Sequence, residues 1–157
     1  MRLDDPSPQC FIPPDQFRFI FERVNCFCMD IVVANEKGVL LVKREIEPFQ
    51  GKFVLPGGFV LFKEPINVAL RRLALKELGV ICVSHRELGH IQHIEDGPWR
   101  STISLVFLVE YKGQLQGCDE GEELKFFSEF GRDVQPYQRE FLLRKFQEIM
   151  SLAKLGE

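Results

Sequence analysis

No apolar run in the sequence approaches the ~18 to 20 residues that a membrane-crossing helix needs, which excludes a helical membrane span. The opening MRLDDPSPQCF sets acids and prolines where a secretory signal would carry an apolar core. Cysteine is sparse and irregular, with five residues at 10, 26, 28, 82 and 118 and no repeated C-x-x-C spacing. That pattern fits neither a disulfide framework nor a zinc site, so a reduced, cytoplasmic chain is expected. Positive charge is also short: the net charge of -3 leaves no basic excess with which to grip a phosphate backbone. Neither a nucleic-acid partner nor a membrane partner is expected. Repeats, low-complexity tracts and long linkers are missing too, which points to a single domain over 1–157.

What is present suits a globular chain. The 157 residues are enough for one sizeable core, and 45% hydrophobic with 27% charged content is ordinary. Phenylalanine, at 15 residues, is the one strong bias. In the leading extension, 1–24, Phe17, Ile20, Phe21 and Val24 follow a Pro-Pro start at i, i+3, i+4 and i+7, the pattern of a short amphipathic helix. FCMDIVVA and VLLVKR, joined by NEKG, read as a β-hairpin. GKFVLPGGFV reads as a short strand running into a Pro-Gly-Gly turn. Helix formers run from Pro65, placed in the first turn, to Leu78, with Gly79 set to end the helix. Strands are expected over 81–93 and 102–110, with EDGPWRS between them, and ELKFF as a short strand after the acidic CDEGEE. The closing helix, 136–153, places Tyr137, Phe141, Leu142, Phe146 and Ile149 on one face. Cys26 and Cys28 share one side of a strand and read as small hydrophobes. These elements make an α/β or α+β fold, a mixed sheet sandwiched by helices.

The segment 57–80 holds the chemistry. Gly58 is followed by five residues and Glu64, then by seven residues and Arg72, after which come Leu73, Ala74, Leu75, Lys76, Glu77, Leu78, Gly79 and Val80. Positions 73, 76 and 77 stand at i, i+3 and i+4, on one side of a helix. Carboxylates at all three would repel one another unless a divalent cation and a diphosphate neutralised them. Only Glu77 is a carboxylate here. Magnesium takes one or two protein carboxylates and fills its shell with water and substrate oxygens, so one carboxylate is enough if a diphosphate completes the shell.

The segment resembles the box of the Nudix hydrolases, G-x5-E-x7-R-E-U-x-E-E-x-G-U with U a bulky aliphatic residue, departing from it at Leu73 and Lys76. Its Arg72, Leu73, Glu77, Leu78 and Gly79 are similar to the reduced box of the GDP-mannose mannosyl hydrolase branch. CMDIVV, KREIEPFQGKFVLPGG and GHIQHIEDG resemble that branch in order and spacing. The resemblance implies a Nudix-like fold and a magnesium-dependent hydrolase, with manganese as the substitute ion, acting on a nucleoside-diphosphate compound such as the nucleotide sugar GDP-mannose. It also implies a homodimer.

Residue by residue, the resemblance makes Glu77 and the Gly57 carbonyl metal ligands, with Glu120 from the acidic loop as the third. Arg72 would orient neighbouring carboxylates or meet phosphate, or else pair with Glu64 and shape the loop; both readings stand. Arg44 matches a diphosphate-contacting arginine. Asp30 matches an aspartate of the substrate site, with a structural hydrogen-bond role equally open. His93 matches a histidine near the site, ahead of His85 and His90, and Trp99 would stack on a base or sugar or cover the core. Lys76 would neutralise phosphate. The branch's catalytic histidine falls on Gly121 and an arginine after the two glycines falls on Phe59, so the water would be activated by Glu120 or by Glu122 or Glu123 beside it. The alternative is a weak or inactive nucleotide-binding or sensor protein on the same fold.

Overall fold

The strand at the centre is buried on both faces from Met29 to Val32, which is why it reads as a nearly unbroken apolar run. In the computed structural model, which describes residues 12–47, 49–94, 101–117 and 123–155, this strand is β1 (Cys26–Val32). Its Met29 and Ile31 point to one side of the sheet and Val32 to the other, each fully buried. β1 pairs in parallel with β7 (Ser101–Lys112), from Cys26 opposite Thr102 to Val32 opposite Leu108. On its other edge it takes β5 (Gly57–Phe59) in antiparallel register, and the outer edge of β7 takes β6 (Ile81–Ile94). The first sheet therefore runs β5-β1-β7-β6. A second sheet holds β2 (Ala34–Asn35), β3 (Gly38–Lys43) and β4 (Phe53–Val54) in order, with β8 (Leu124–Phe127) paired on β3.

Two sequence expectations are corrected by this topology. The hairpin expected between FCMDIVVA and VLLVKR is confined to β2 and β3, because β1 belongs to the other sheet. A strand apolar on both faces needs a neighbour along each edge and a layer above and below, and only the centre of a sheet supplies these. The expected Pro-Gly-Gly turn is instead the strand β5. Glycine is required there for closeness and not for turning: a Cβ on Gly57 would lie 2.1 Å from the Met29 carbonyl oxygen.

Helix α2 (Ile66–Leu78) covers one face, burying Ala69, Leu70, Leu73, Ala74 and Leu78 against Met29, Ile31 and Phe107. Pro65 stands just before it as N-cap, one residue outside the expected first turn. Gly79, at φ +67°, closes it as expected, with its N–H returning to Leu75 and that of Val80 to Ala74, so that two end carbonyls are satisfied. Helix α3 (Pro136–Leu155) covers the opposite face through Phe141, Leu142 and Ile149. The result is the mixed α+β layering expected from the sequence. At the other end, α1 (Pro14–Phe21) docks on β5: the Phe17 and Phe21 rings stack 5.1 Å apart, and both meet Phe59 edge-on. Of the expected stripe only Phe17 and Phe21 dock; Ile20 is 42% exposed, and Val24 lies beyond the helix end. Among the described residues no helix is long and apolar enough to cross a membrane.

Candidate active site

The site grows from the three-residue ladder between β1 and β5. Ile31 N–H donates to the Pro56 carbonyl at 2.8 Å and Val60 N–H to the Phe27 carbonyl at 3.0 Å. Those bonds make Asp30 and Gly57 a pair that does not exchange hydrogen bonds, so the carbonyl of Gly57 turns away from β1. β5 is the edge of its sheet, and that carbonyl therefore faces outward, as a cation ligand must. Next to it, Leu73 of α2 lies over Gly58, where an added Cβ would meet Leu73 Cδ2 at 2.9 Å. Glu77 follows Leu73 by about one helical turn and is half-buried.

The loop between β5 and α2 is braced by the Arg72–Glu64 ion pair. Arg72 Nε donates to Glu64 Oε1 at 2.7 Å and Nη2 to Glu64 Oε2 at 2.8 Å. The same Nη2 donates to the Phe59 carbonyl at 2.9 Å, while Leu61 N–H donates to Glu64 Oε2. Arg72 holds the Glu64 carboxyl below its usual range against the opposing effect of burial, and the Leu61 N–H helps. Of the two readings of Arg72, the pairing with Glu64 is the one drawn in these bonds: a rigid link from α2 to the end of β5.

Leu73, where the family pattern has a glutamate, belongs to the core at 2% exposure. Lys76 is exposed on α2 beside Glu77. Arg44, half-buried, curls over its own loop, donating from Nε to the Ile46 carbonyl at 3.1 Å and from Nη2 to the Glu47 carbonyl at 3.5 Å. Glu120, Glu122, Gly121 and Trp99 lie outside the described residues. Glu123 is described: its carboxylate stands 3.7 Å from Lys43, an exposed pair of small consequence.

On the α3 face of the first sheet sits a polar network the sequence reading did not assemble. Asp30 is buried and its pKa is raised to about 7, chiefly because burial disfavours the charge. Gln138 Nε2 donates to Asp30 Oδ2 at 3.3 Å. The buried Ser104 hydroxyl also favours the Asp30 charge but lacks the geometry of a complete hydrogen bond. Gln138 Oε1 accepts the Leu55 N–H at 2.7 Å, and the Gln138 N–H is capped by Gln135 Oε1 at 2.7 Å. Gln135 Nε2 lies 3.0 Å from His93 Nδ1, whose ring rests 5.1 Å from that of Tyr137. Burial lowers the His93 pKa to about 4, so the ring is neutral near pH 7. With the Gln135 amide donating, its proton stands on Nε2. Asp30 and His93, two separate expectations from the sequence, are thus joined through Gln135 and Gln138. The available signal was a pair of glutamines at i and i+3 entering an apolar helix. His85 is exposed and packs edge-on against Phe107.

The ligands on offer for a cation are oxygens, the Gly57 carbonyl and the Glu77 carboxylate, a set that suits magnesium or manganese over softer ions. Among the described residues no cluster of three His, Cys, Asp or Glu could enclose an ion. A cation here would complete its shell with water and substrate oxygens.

A family model described as the NUDIX domain matches residues 27–141. The low-salt glycan biosynthesis protein Agl8 of Haloferax volcanii is 39% identical over 90 residues, 57% of this chain and 58% of that protein. The ADP-ribose pyrophosphatase of Methanocaldococcus jannaschii is 34% identical over 100 residues, 63% of this chain and 59% of that protein. The chain thus spans under two thirds of the length of both relatives. Among solved structures, a MutT NUDIX hydrolase from Burkholderia pseudomallei superposes with a TM-score of 0.69 at 20% identity, covering 78% of this chain and 98% of that one. The MutT protein of Methanosarcina mazei gives 0.69 at 23% identity, over 79% and 94%. At these identities the structural likeness speaks for the fold.

Proposed function

The chain belongs to the NUDIX domain family, and from that premise we propose that it is a magnesium-dependent hydrolase of a nucleoside-diphosphate compound, with a nucleotide sugar such as GDP-mannose as substrate. The observation that carries this reading is the outward Gly57 carbonyl on β5, next to Gly58, over which lies Leu73, about one helical turn before Glu77. Together they would hold the cation, and Glu120 would be the third ligand. When bound, that ion would neutralise the diphosphate and the charge that develops on the leaving group.

This chain's own groups divide the remaining work. Arg72, fixed to Glu64, holds α2 against the end of β5. Arg44 and Lys76 supply positive charge for phosphate oxygens. Asp30 and His93, one carboxyl and one neutral ring with an N–H, would meet the base or the sugar. A water activated by Glu120 or a neighbouring acid attacks: at the sugar carbon it forms the new C–O bond and releases nucleoside diphosphate, and at phosphorus it releases sugar phosphate and nucleoside monophosphate.

The test is product identity. Nucleotide sugars and ADP-ribose are incubated in ¹⁸O-water with and without magnesium. Magnesium-dependent release of nucleoside diphosphate and ¹⁸O-labelled sugar supports the reading with carbon attack. Label in a phosphate product supports it with phosphorus attack, and no turnover of any compound refutes it. A second reading, a protein that binds nucleotide without hydrolysing it, is favoured by one observation, the burial of Leu73 where a carboxylate would stand. It predicts nucleotide binding that survives chelation and weakens in Lys76→Ala.

A further inference from the structure

We propose that Gln138 is a positioning residue for the site, holding the Gly57 carbonyl and the Asp30 carboxyl in register from the first turn of α3. The inference rests on the hydrolase reading and adds a residue to it.

The ladder that aims the Gly57 carbonyl is short. It spans three pairs, Cys28 with Phe59, Met29 with Gly58 and Asp30 with Gly57, and two of its β5 members lack a side chain with which to pack. A strand so short, at a sheet edge and rich in glycine, is weakly held by its own pairing. Just before it the chain leaves β4 at Val54, and Leu55 lies between the two strands with a backbone N–H that neither ladder uses. Gln138 supplies that partner through Oε1 at 2.7 Å. The other end of the same amide donates to Asp30, the residue paired with Gly57. One side chain thus bridges both strands at the end of the ladder where the site begins.

The amide can act as a fixed point because its own backbone is fixed. The Gln138 N–H is taken by Gln135 Oε1, and the Gln135 N–H donates to the Phe53 carbonyl at 3.0 Å. Residues 53 and 55 are therefore both tied to the start of α3, through Gln135 just before it and Gln138 in its first turn. Gln138 is 6% exposed and Gln135 2%, so water is a poor substitute for either contact. In this arrangement a shift of α3 at its start moves β5 against β1, and with it the direction of the Gly57 carbonyl.

The experiment compares the wild-type chain with Gln138→Met, which keeps the volume and loses both hydrogen bonds, and with Gln138→Glu, which keeps an acceptor for Leu55 but turns an oxygen toward Asp30. Two quantities are read: amide exchange, residue by residue, and the affinity for Mn2+ alone by calorimetry. Gln138→Met is expected to speed exchange at Leu55 and Ile31 while β6 and β7 keep their protection, and to weaken Mn2+ binding about 10- to 100-fold, as loss of an outer positioning group does. Gln138→Glu is expected to keep Leu55 protected. Wild-type exchange at Leu55 and Ile31 in Gln138→Met, or an equal rise across β6 and β7, would overturn the proposal. So would faster local exchange with Mn2+ affinity unchanged. A wild-type chain that binds no Mn2+ would instead sink the hydrolase reading, and the exchange pattern would still decide whether Gln138 holds the two strands.

Discussion

Arg72 and Glu64 meet along two parallel hydrogen bonds, Nε to Oε1 at 2.7 Å and Nη2 to Oε2 at 2.8 Å, and this pair joins the loop after β5 to helix α2. A lysine at 72 offers a point charge in place of a planar fork and loses the parallel two-bond geometry. Arg72→Lys is expected to lower stability by up to about 1.5 kcal/mol, the lower end for a hydrogen bond to a charged group, because the Arg72 side chain is partly exposed. Urea unfolding measures it; an unchanged midpoint would show that the brace contributes nothing.

Leu73 marks where the chain has given a carboxylate position to its core. Leu73→Glu restores the family's residue type, yet it places an ionisable group among Met29, Leu70 and Phe107. The variant is expected to be destabilised by more than ~2 kcal/mol, the lower end for emptying such a site of its leucine. Thermal unfolding with and without manganese checks this, and a variant as stable as the parent with tighter metal binding would refute it.

Burial separates Asp30 and His93 in pH. The Asp30 pKa is raised from 3.8 to about 7, so the folded state holds a proton that the unfolded state has released, and its contribution is lost as pH rises from 3.8 to 7. The His93 pKa is lowered from 6.5 to about 4, so its contribution is present above 6.5 and is lost as pH falls toward 4. Relative to the parent, Asp30→Asn should gain stability as pH climbs from 4 to 7, while His93→Gln should gain as pH falls from 6.5 to 4. Denaturant midpoints across that window give both slopes, and parallel curves for the parent and either variant would contradict the assignment.

Gly57 is confined by contact with β1. A methyl there would stand 2.1 Å from the Met29 carbonyl oxygen and 2.9 Å from Asp30 Oδ1. Gly57→Ala is expected to push β5 off its neighbour, costing stability and manganese affinity together. Retention of both would mean that β5 has room the structure does not show.

The layering was legible because it rests on local patterns: the apolar run of β1, the glycine after α2 and the apolar spacing of α3 each follow from one stretch of chain. The box spacing was legible for the same reason. What escaped depends on distant partners. Nothing local in FCMDIVVA and VLLVKR tells that the two strands enter different sheets, since that is decided by β5 and β7 competing for the edges of β1. The Pro-Gly-Gly segment has the composition of a turn, but Gly57 serves a close approach to Met29, a residue more than twenty positions earlier, and Gly58 one to Leu73. Gln138 was silent for the same reason, as its partners Leu55 and Asp30 come from other elements. Phe59, where the resembled branch has an arginine, anchors α1.

If a single carboxylate on α2 holds the proposed cation, Glu77 is the residue on which metal binding and turnover both depend. The direct measurement is turnover of GDP-mannose and ADP-ribose by the parent and by Glu77→Gln, each in saturating magnesium, with manganese affinity determined on the same samples. Magnesium-dependent turnover is expected in the parent, with both activity and metal affinity collapsing in Glu77→Gln. A fully active Glu77→Gln, or a parent that binds nucleotide and releases no product at any magnesium concentration, would contradict it.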